Sequence, residues 1–249
     1  MNKIYSLRYT KSGLIYMDGK DDCDTVVDAM LDSGYNEEFC VSLDWDTRFI
    51  SGLMKAGFLV MSSTIPTGEE DPDSADIVLP KLHLVRSVLF FRDLHIKRSI
   101  RPFLSRYELC FDTDFGTVVD KCVRTYGEGW LTPSLIKSIF LIREQSAKLP
   151  SLVPTVSPLP VSFSVYRDGQ LRAGEFGVIC GKVYTSYSGF KEESNAGTVQ
   201  IILMIRALEK AGFSFFDFGM PLDYKTDLGA QDISPEQFVF LFRSSQIKP

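Results

Sequence analysis

The alternation of apolar and polar positions changes rhythm several times along this chain, and each rhythm marks an element. Asp24 to Leu31 has the spacing of a short amphipathic helix. From Asp46 to Gly57 the apolar residues Phe49, Ile50, Leu53 and Met54 recur every three or four positions, with Asp46 or Thr47 placed to cap and Gly57 to end the helix. Asp112 to Cys122 begins like a capped helix. Thr132 to Arg143 is a stronger case, because Thr132 can cap it and Pro133 suits the first helical position.

Strands are marked by a different period. Leu84 to Phe91 is strand-like and rich in branched residues, and Leu94 to Phe103 follows it. Val161 to Tyr166 alternates strictly, Arg167-Asp168-Gly169-Gln170 reads as a hairpin turn, and the chain returns over Leu171 to Ile179. A second turn at Cys180-Gly181-Lys182 leads into Val183 to Tyr187. A helix over Thr198 to Gly212, with Gly212 as its stop, then runs into the phenylalanine-rich strand Phe213 to Phe218. Antiparallel hairpins followed by a helix and a strand predict an α+β domain with a mixed sheet.

Two connections stand out. Thr64 to Asp76 combines Pro66, Gly68 and Pro72 with Glu69, Glu70, Asp71, Asp73 and Asp76, which reads as a solvated loop. A domain boundary is expected there, with a small N-terminal α/β unit over 1–76 and a larger domain over 77–249. Pro150, Pro154, Pro158 and Pro160 are expected to form an extended connection without regular hydrogen bonding.

Composition narrows the classes. At 249 residues and 45% hydrophobic content, the chain can bury a sizeable core, and 24% charged residues exclude wholesale disorder. A net charge of −5 argues against coating nucleic acid over the whole surface, yet leaves room for a local basic site. Five scattered cysteines and two histidines, His83 and His95, supply no ligand-spaced cluster. Neither a metal, a cofactor nor a disulfide framework is expected. With no apolar run long enough for a membrane span or a signal peptide, a cytoplasmic protein is the expectation.

The chemistry-bearing residues are few. Asp217 interrupts an apolar strand, and an ionised carboxylate costs several kcal/mol to bury unless donors or a charge partner meet it. It is either a structural acceptor at a turn or helix N-terminus, or a functional group. Arg86, Arg92, Lys97, Arg98, Arg101 and Arg106 are opposed locally only by Asp93. They can hold phosphate oxygens, or form a solvated face paired with the acidic loop. His95 reads as a structural histidine. Phe176, Tyr184, Tyr187 and Phe190 can line an apolar pocket or simply fill a core, and Trp130 can anchor its turn or stack on a base.

Taken together, these segments resemble the leucyl/phenylalanyl-tRNA–protein transferases. Asp46 to Phe58 is similar to that family's "SP-x-x-LL-x-AY-x-x-GIFPW" helix. Arg86 with Leu94-His-Ile-Lys-Arg98-Ser99 is similar to its "PR" and "LHI-x-RS", and Trp130-Leu-Thr132 to its "TWIT". Gly174-Glu-Phe-Gly177 with Cys180-Gly181 resembles "GG-x-YGV…G", Ser194-Asn195-Ala196 resembles "ENAS", and Phe216-Asp217 with Leu228-Gly229-Ala230 resembles "ID-x-Q…LGA".

The resemblance implies a GNAT-like N-acyltransferase fold, preceded by a smaller domain, that moves leucine or phenylalanine from aminoacyl-tRNA to the N-terminal α-amine of a protein and so marks it for degradation. It implies that Asp217 and Gly219 occupy the catalytic positions. Glu175, Phe176, Tyr184, Tyr187 and Phe216 would line the amino-acid pocket, and Arg86, Lys97, Arg98, Arg101 and Trp130 would hold the tRNA acceptor end. The partners would be aminoacyl-tRNA and a protein N-terminus, with no membrane and a monomer as the expectation.

Several positions depart from the family pattern. Its glutamine two residues after the aspartate is Gly219 here, its pocket methionine aligns with Glu175, and its pocket glutamate with Tyr187. Its Trp-Trp pair aligns with Pro80 and Lys81, and the Pro150–Pro160 connection is an insertion. Together Glu175 and Tyr187 imply a carboxylate moved from one wall of the pocket to another. The alternatives are a catalytically silent homologue that binds tRNA or peptide, and an acyltransferase using another donor such as acyl-CoA. Ser194-Asn-Ala-Gly197-Thr is a poor version of that donor's pyrophosphate turn.

Overall fold

Nearly all the strongly apolar strands of the chain come together in one sheet. The structure, a computed structural model, describes residues 6–66, 74–146 and 149–247. A short ladder of β1 (Arg8–Tyr9) and β2 (Ile15–Tyr16) precedes α1 (Cys23–Ser33) and α2 (Thr47–Lys55). Asp22 and Asp46 cap these helices by accepting from the backbone N–H of Thr25 and Arg48. Of the two caps the sequence allows for α2, Asp46 and Thr47, the structure uses Asp46.

Then β3 (Leu59–Pro66) pairs antiparallel with β4 (Ser74–Lys81). Thr64–Pro66 and Ser74–Asp76, expected as loop, are instead the paired ends of this ladder, and Thr64 donates its hydroxyl to Asp76 at 2.7 Å. Local composition did not reveal them because each strand obtains its hydrogen bonds from the other. Residues 67–73, with Glu69, Glu70, Asp71 and Asp73 of the expected acidic loop, lie outside the described residues. A division at residue 76 falls within β4.

After β5 (Arg86–Leu89) come two 3-10 turns, Phe91–Asp93 and Arg101–Arg106, and then β6 (Glu108–Phe111), α3 (Phe115–Tyr126) and α4 (Pro133–Gln145). The cap of α3 is Asp114, which accepts from the Thr117 N–H. Thr132 occupies the cap position of α4, but its side chain makes no capping bond there. The remaining elements are β7 (Thr155–Arg167), β8 (Gln170–Gly181), β9 (Val183–Lys191), α5 (Ala196–Lys210), β10 (Phe215–Gly219), α6 (Asp223–Asp227), β11 (Gln231–Ile233) and α7 (Pro235–Ser244).

Seven strands form one sheet in the order β11-β5-β10-β9-β8-β7-β6. Only β10 and β9 run parallel, joined by α5, so the sheet is mixed as expected. The β7–β8 turn is the predicted one: Asp168 and Gly169 both take positive φ, 55° and 72°, the pairing a two-residue hairpin turn requires. The proline-rich connection is corrected. Pro158 and Pro160 lie inside β7, where Pro160 stands opposite Val178 of β8. Strand β6 joins the far side of β7 only from Phe163 onward, so the missing proline N–H removes no ladder bond. The Pro160 carbonyl accepts from Arg143 at 2.9 Å.

The two faces of the sheet feed two cores. Phe163, Tyr184, Phe216 and Phe218 pack under α5 with Val199, Ile202 and Ile205. Phe176, Val178 and Phe215 meet Phe49, Leu53, Phe115, Ile139 and Phe238 on the opposite face. Residues from Ile15 to Val60 share that second core. Asp217 is two residues from Phe215, so strand alternation turns it toward the same face.

Close approach between β8 and β9 leaves no room at Gly177. A Cβ there would come within 2.2 Å of the Thr185 carbonyl oxygen and 2.7 Å of the Tyr184 ring. Gly177→Ala is therefore expected to lower stability by about 1–3 kcal/mol, read as a lower urea midpoint at unchanged m-value.

Candidate functional site

Antiparallel pairing of β5 with β10 sets Asp217 opposite Val88 and Gly219 opposite Ser87, with an irregularity between Asp217 and Gly219. This register carries Arg86 to Asp217 although 131 residues separate them. Arg86 Nε donates to Asp217 Oδ1 at 2.8 Å and Nη2 to Oδ2 at 2.6 Å, a bidentate pair with side-chain exposures of 1% and 0%. Thr185 Oγ1 donates to Oδ2 at 2.9 Å, and the Gly219 N–H to Oδ1 at 3.0 Å. A carboxylate offers about four acceptor positions, and these four donors occupy them.

Arg86 is enclosed as thoroughly as its partner. Its guanidinium lies 4.3 Å from the ring of Phe238 on α7, and Nη1 lies 2.7 Å from His83 Nδ1. Burial and the nearby Arg86 charge push the His83 imidazole down to about 2, so the ring is neutral. Lys225, from α6, donates to the carbonyls of Phe218 and Met220 at 2.8 and 2.6 Å, one on each side of Gly219. Burial lowers Lys225 to about 8, opposed by Asp217 and Glu175. Gly219 itself has φ 74°, the left-handed region that favours glycine.

A second buried group lies along β8 and β9. Tyr184 donates to Glu175 Oε1 at 3.2 Å, and its ring packs against Phe216 at 5.1 Å. Burial pushes Glu175 up to about 7, with Ser186, Tyr184, Gln200 and Lys225 acting in the other direction. Tyr184 is pushed well up by its own burial and then by Glu175. Phe176 stacks obliquely with Tyr187 at 6.0 Å and edge-on with Phe115 at 6.1 Å. Tyr187 accepts the Val60 N–H at 3.3 Å, which ties β3 to the sheet, and lies 6.4 Å from Trp130.

The residues singled out from the sequence thus separate. Asp217, Gly219 and Arg86 form one buried cluster, whereas the five residues expected to line one amino-acid pocket divide between the two faces of the sheet. Phe176 and Tyr187 lie on the Phe238 side, while Tyr184, Phe216 and the Tyr184-bonded Glu175 lie under α5. Glu175 and Tyr187 are therefore not two walls of one pocket. Arg86 does not join the other basic residues: Lys97, Arg98 and Arg101 are exposed in the segment after β5. Lys97 pairs with Asp227 at 2.6 Å, and Arg101 Nε reaches the Ile96 carbonyl at 3.4 Å. Trp130 is half-buried. Two surface cavities, about 440 and 570 Å³, are lined by other residues, around Phe240 on α7 and around Tyr166 on β7.

His83, Thr185 and Lys225 were not legible as site residues. No spacing in the sequence links them to Asp217, and only the strand register and the α6 turn bring them there.

Fold and cluster together define an α+β protein whose mixed sheet buries an ion-paired carboxylate near the end of a strand. The segment that carries Asp217, Thr185, Gly219 and Lys225 also identifies the family. Residues 88–243 match the model for leucyl/phenylalanyl-tRNA protein transferase, and the chain belongs to that family. Leucyl/phenylalanyl-tRNA–protein transferases of Pseudomonas putida (strain W619) and Azotobacter vinelandii are 32% and 31% identical over 158 residues, 61% of this chain. This chain spans 65% of the length of each. The enzyme of Pseudomonas fluorescens (strain SBW25) is 31% identical over 169 residues, 66% of this chain and 70% of that protein. Among solved structures, FemX overlaps 93% of this chain and 80% of its own at 11% identity, with a TM-score of 0.45, a likeness too distant to carry an argument.

Proposed function

We propose that this protein transfers an amino acid from aminoacyl-tRNA to the N-terminal α-amine of a protein, and so tags that protein for degradation. The observation that carries the reading is the family match over residues 88–243, which contains Asp217 on β10 and the exposed basic segment with Lys97, Arg98 and Arg101. In this reading the β5–β10 sheet is the core of a GNAT-like acyltransferase domain C-terminal to residue 76, working in the cytoplasm. The exposed basic residues and Trp130 meet the tRNA end, and the Glu175–Tyr184 group sits behind the amino-acid pocket.

An aminoacyl ester is already activated, so the protein has mainly to align an amine with it and stabilise the developing oxyanion. Asp217 suits a fixed electrostatic role better than proton transfer, because its acceptor positions are occupied. It holds Gly219 N–H and Arg86 in one geometry at the reaction centre.

One observation favours a second reading. Asp217 is saturated with donors, and Gly219 offers no side chain beside it. A homologue that binds tRNA or peptide without turnover fits both facts.

The deciding experiment supplies tRNA charged with labelled amino acids and peptides bearing every N-terminal residue. Label on peptide is the expected result. No label, with tRNA binding that weakens steeply as salt rises, would establish the silent reading. No affinity for tRNA would overturn the transferase reading and leave peptide binding alone for the silent one.

A further inference from the structure

We infer that His83 is a positioning residue, which locks the Arg86 guanidinium against Asp217 and so fixes the Gly219 turn. The kinetic part of this inference rests on the transferase reading, and the structural part does not.

A guanidinium donates and never accepts, so the 2.7 Å contact between Arg86 Nη1 and His83 Nδ1 makes Nδ1 the acceptor. A neutral imidazole with an accepting Nδ1 carries its proton on Nε2. The tautomer is therefore dictated by Arg86. The opposite edge of the ring then faces Gly219: a Cβ built on Gly219 would lie 3.8 Å from His83 Cε1 and 3.9 Å from Nε2.

With Nη1 on His83, and Nε and Nη2 on Asp217, the guanidinium plane is fixed on both sides. Asp217 in turn holds the Gly219 amide at 3.0 Å. The chain of contacts is thus His83 to Arg86 to Asp217 to Gly219, and three of its four members are side chains essentially shut off from solvent. Removing the first acceptor leaves one donor of a buried guanidinium unsatisfied, which frees it to rotate away from the carboxylate.

The test uses the intact chain, its two histidines and three variants. The ¹⁵N spectrum of histidine-labelled protein, with His95→Gln for assignment, is expected to show His83 protonated only on Nε2 and not titrating between about pH 5 and 8. His83→Leu removes the acceptor. His83→Asn places an amide oxygen near the Nδ1 position and serves as the conservative rescue.

Hydrogen exchange at the Gly219 amide is expected to quicken about tenfold or more in His83→Leu and to return most of the way in His83→Asn, while amides in α5 keep their protection. In the transfer assay, kcat should fall about tenfold or more in His83→Leu, with KM for aminoacyl-tRNA within about twofold, and recover in His83→Asn.

A His83 that titrates in that range, or carries its proton on Nδ1, would overturn the inference. So would Gly219 exchange that is unchanged in His83→Leu. Wild-type protein that transfers nothing while the spectral and exchange results hold would sink the transferase reading and leave the locking role of His83 standing.

Discussion

Replacing Asp217 with alanine is expected to destabilise the protein by about 3–5 kcal/mol, the range for breaking a buried ion pair from one side. The loss is large because Arg86 cannot reach water: its side chain is 1% exposed, and two of its three nitrogens are bonded to Asp217. What remains after the substitution is an uncompensated buried cation, together with unpaired groups on Thr185 and Gly219. Removing both charges should be milder. Arg86→Met combined with Asp217→Leu is expected to regain much of the loss, because the desolvation of both ions disappears with them.

Urea unfolding of Arg86→Met, Asp217→Leu and the double variant closes the cycle. A coupling energy near zero would mean that the two side chains do not meet in solution. The exposed pair Lys97–Asp227, at 54% and 57% side-chain exposure, provides the contrast, with about 0–1 kcal/mol expected. Since a loss of 3–5 kcal/mol is a large part of a domain's whole stability, Asp217→Ala should be assayed for transfer only where it is shown to be folded.

Glu175→Gln is expected to change the pH dependence of stability rather than only its level. In the folded protein burial raises Glu175 from 4.5 to about 7. Between those two values the folded state holds a proton that the unfolded chain has released, so stability falls as pH rises. The contribution is complete below 4.5 and is lost by the time pH has passed about 7. A shift of this size corresponds to about 3 kcal/mol, and Glu175→Gln should lack that slope.

His83 acts in the opposite sense. It stays neutral in the folded state while the unfolded imidazole takes up a proton below 6.5, so its contribution is lost as pH falls from 6.5 toward about 2. The two slopes oppose each other between 4.5 and 6.5, and wild-type stability alone will look flatter than either group's share. The difference between wild type and Glu175→Gln, taken from urea unfolding below, within and above the window, isolates the carboxyl group. A difference that does not change with pH would place Glu175 in contact with water.

The sequence by itself determined the local pieces: α2 with a cap at Asp46 or Thr47, the Asp168–Gly169 turn, α5 running into β10, and a carboxylate at Asp217 that had to find partners. These are decided by periodicity, capping groups and backbone preferences within a few residues of one another, which a sequence displays directly. Family motifs in the same stretch were legible for the same reason, since each is a short local string. Tertiary structure alone decided who the partners of Asp217 are. Arg86 read as one of several neighbouring cations, and nothing in its surroundings showed that β5 would carry it inward while Lys97, Arg98 and Arg101 stayed in solvent. Pro158 and Pro160 looked like strand breakers, yet β7 tolerates them because, among the described residues, no strand pairs with that part of its far side. The β3–β4 ladder, His83 against Gly219 and Lys225 across the Phe218 and Met220 carbonyls follow the same rule. Each depends on which strand lies beside which, and strand register is fixed by burial across the whole sheet rather than by the residues next in line.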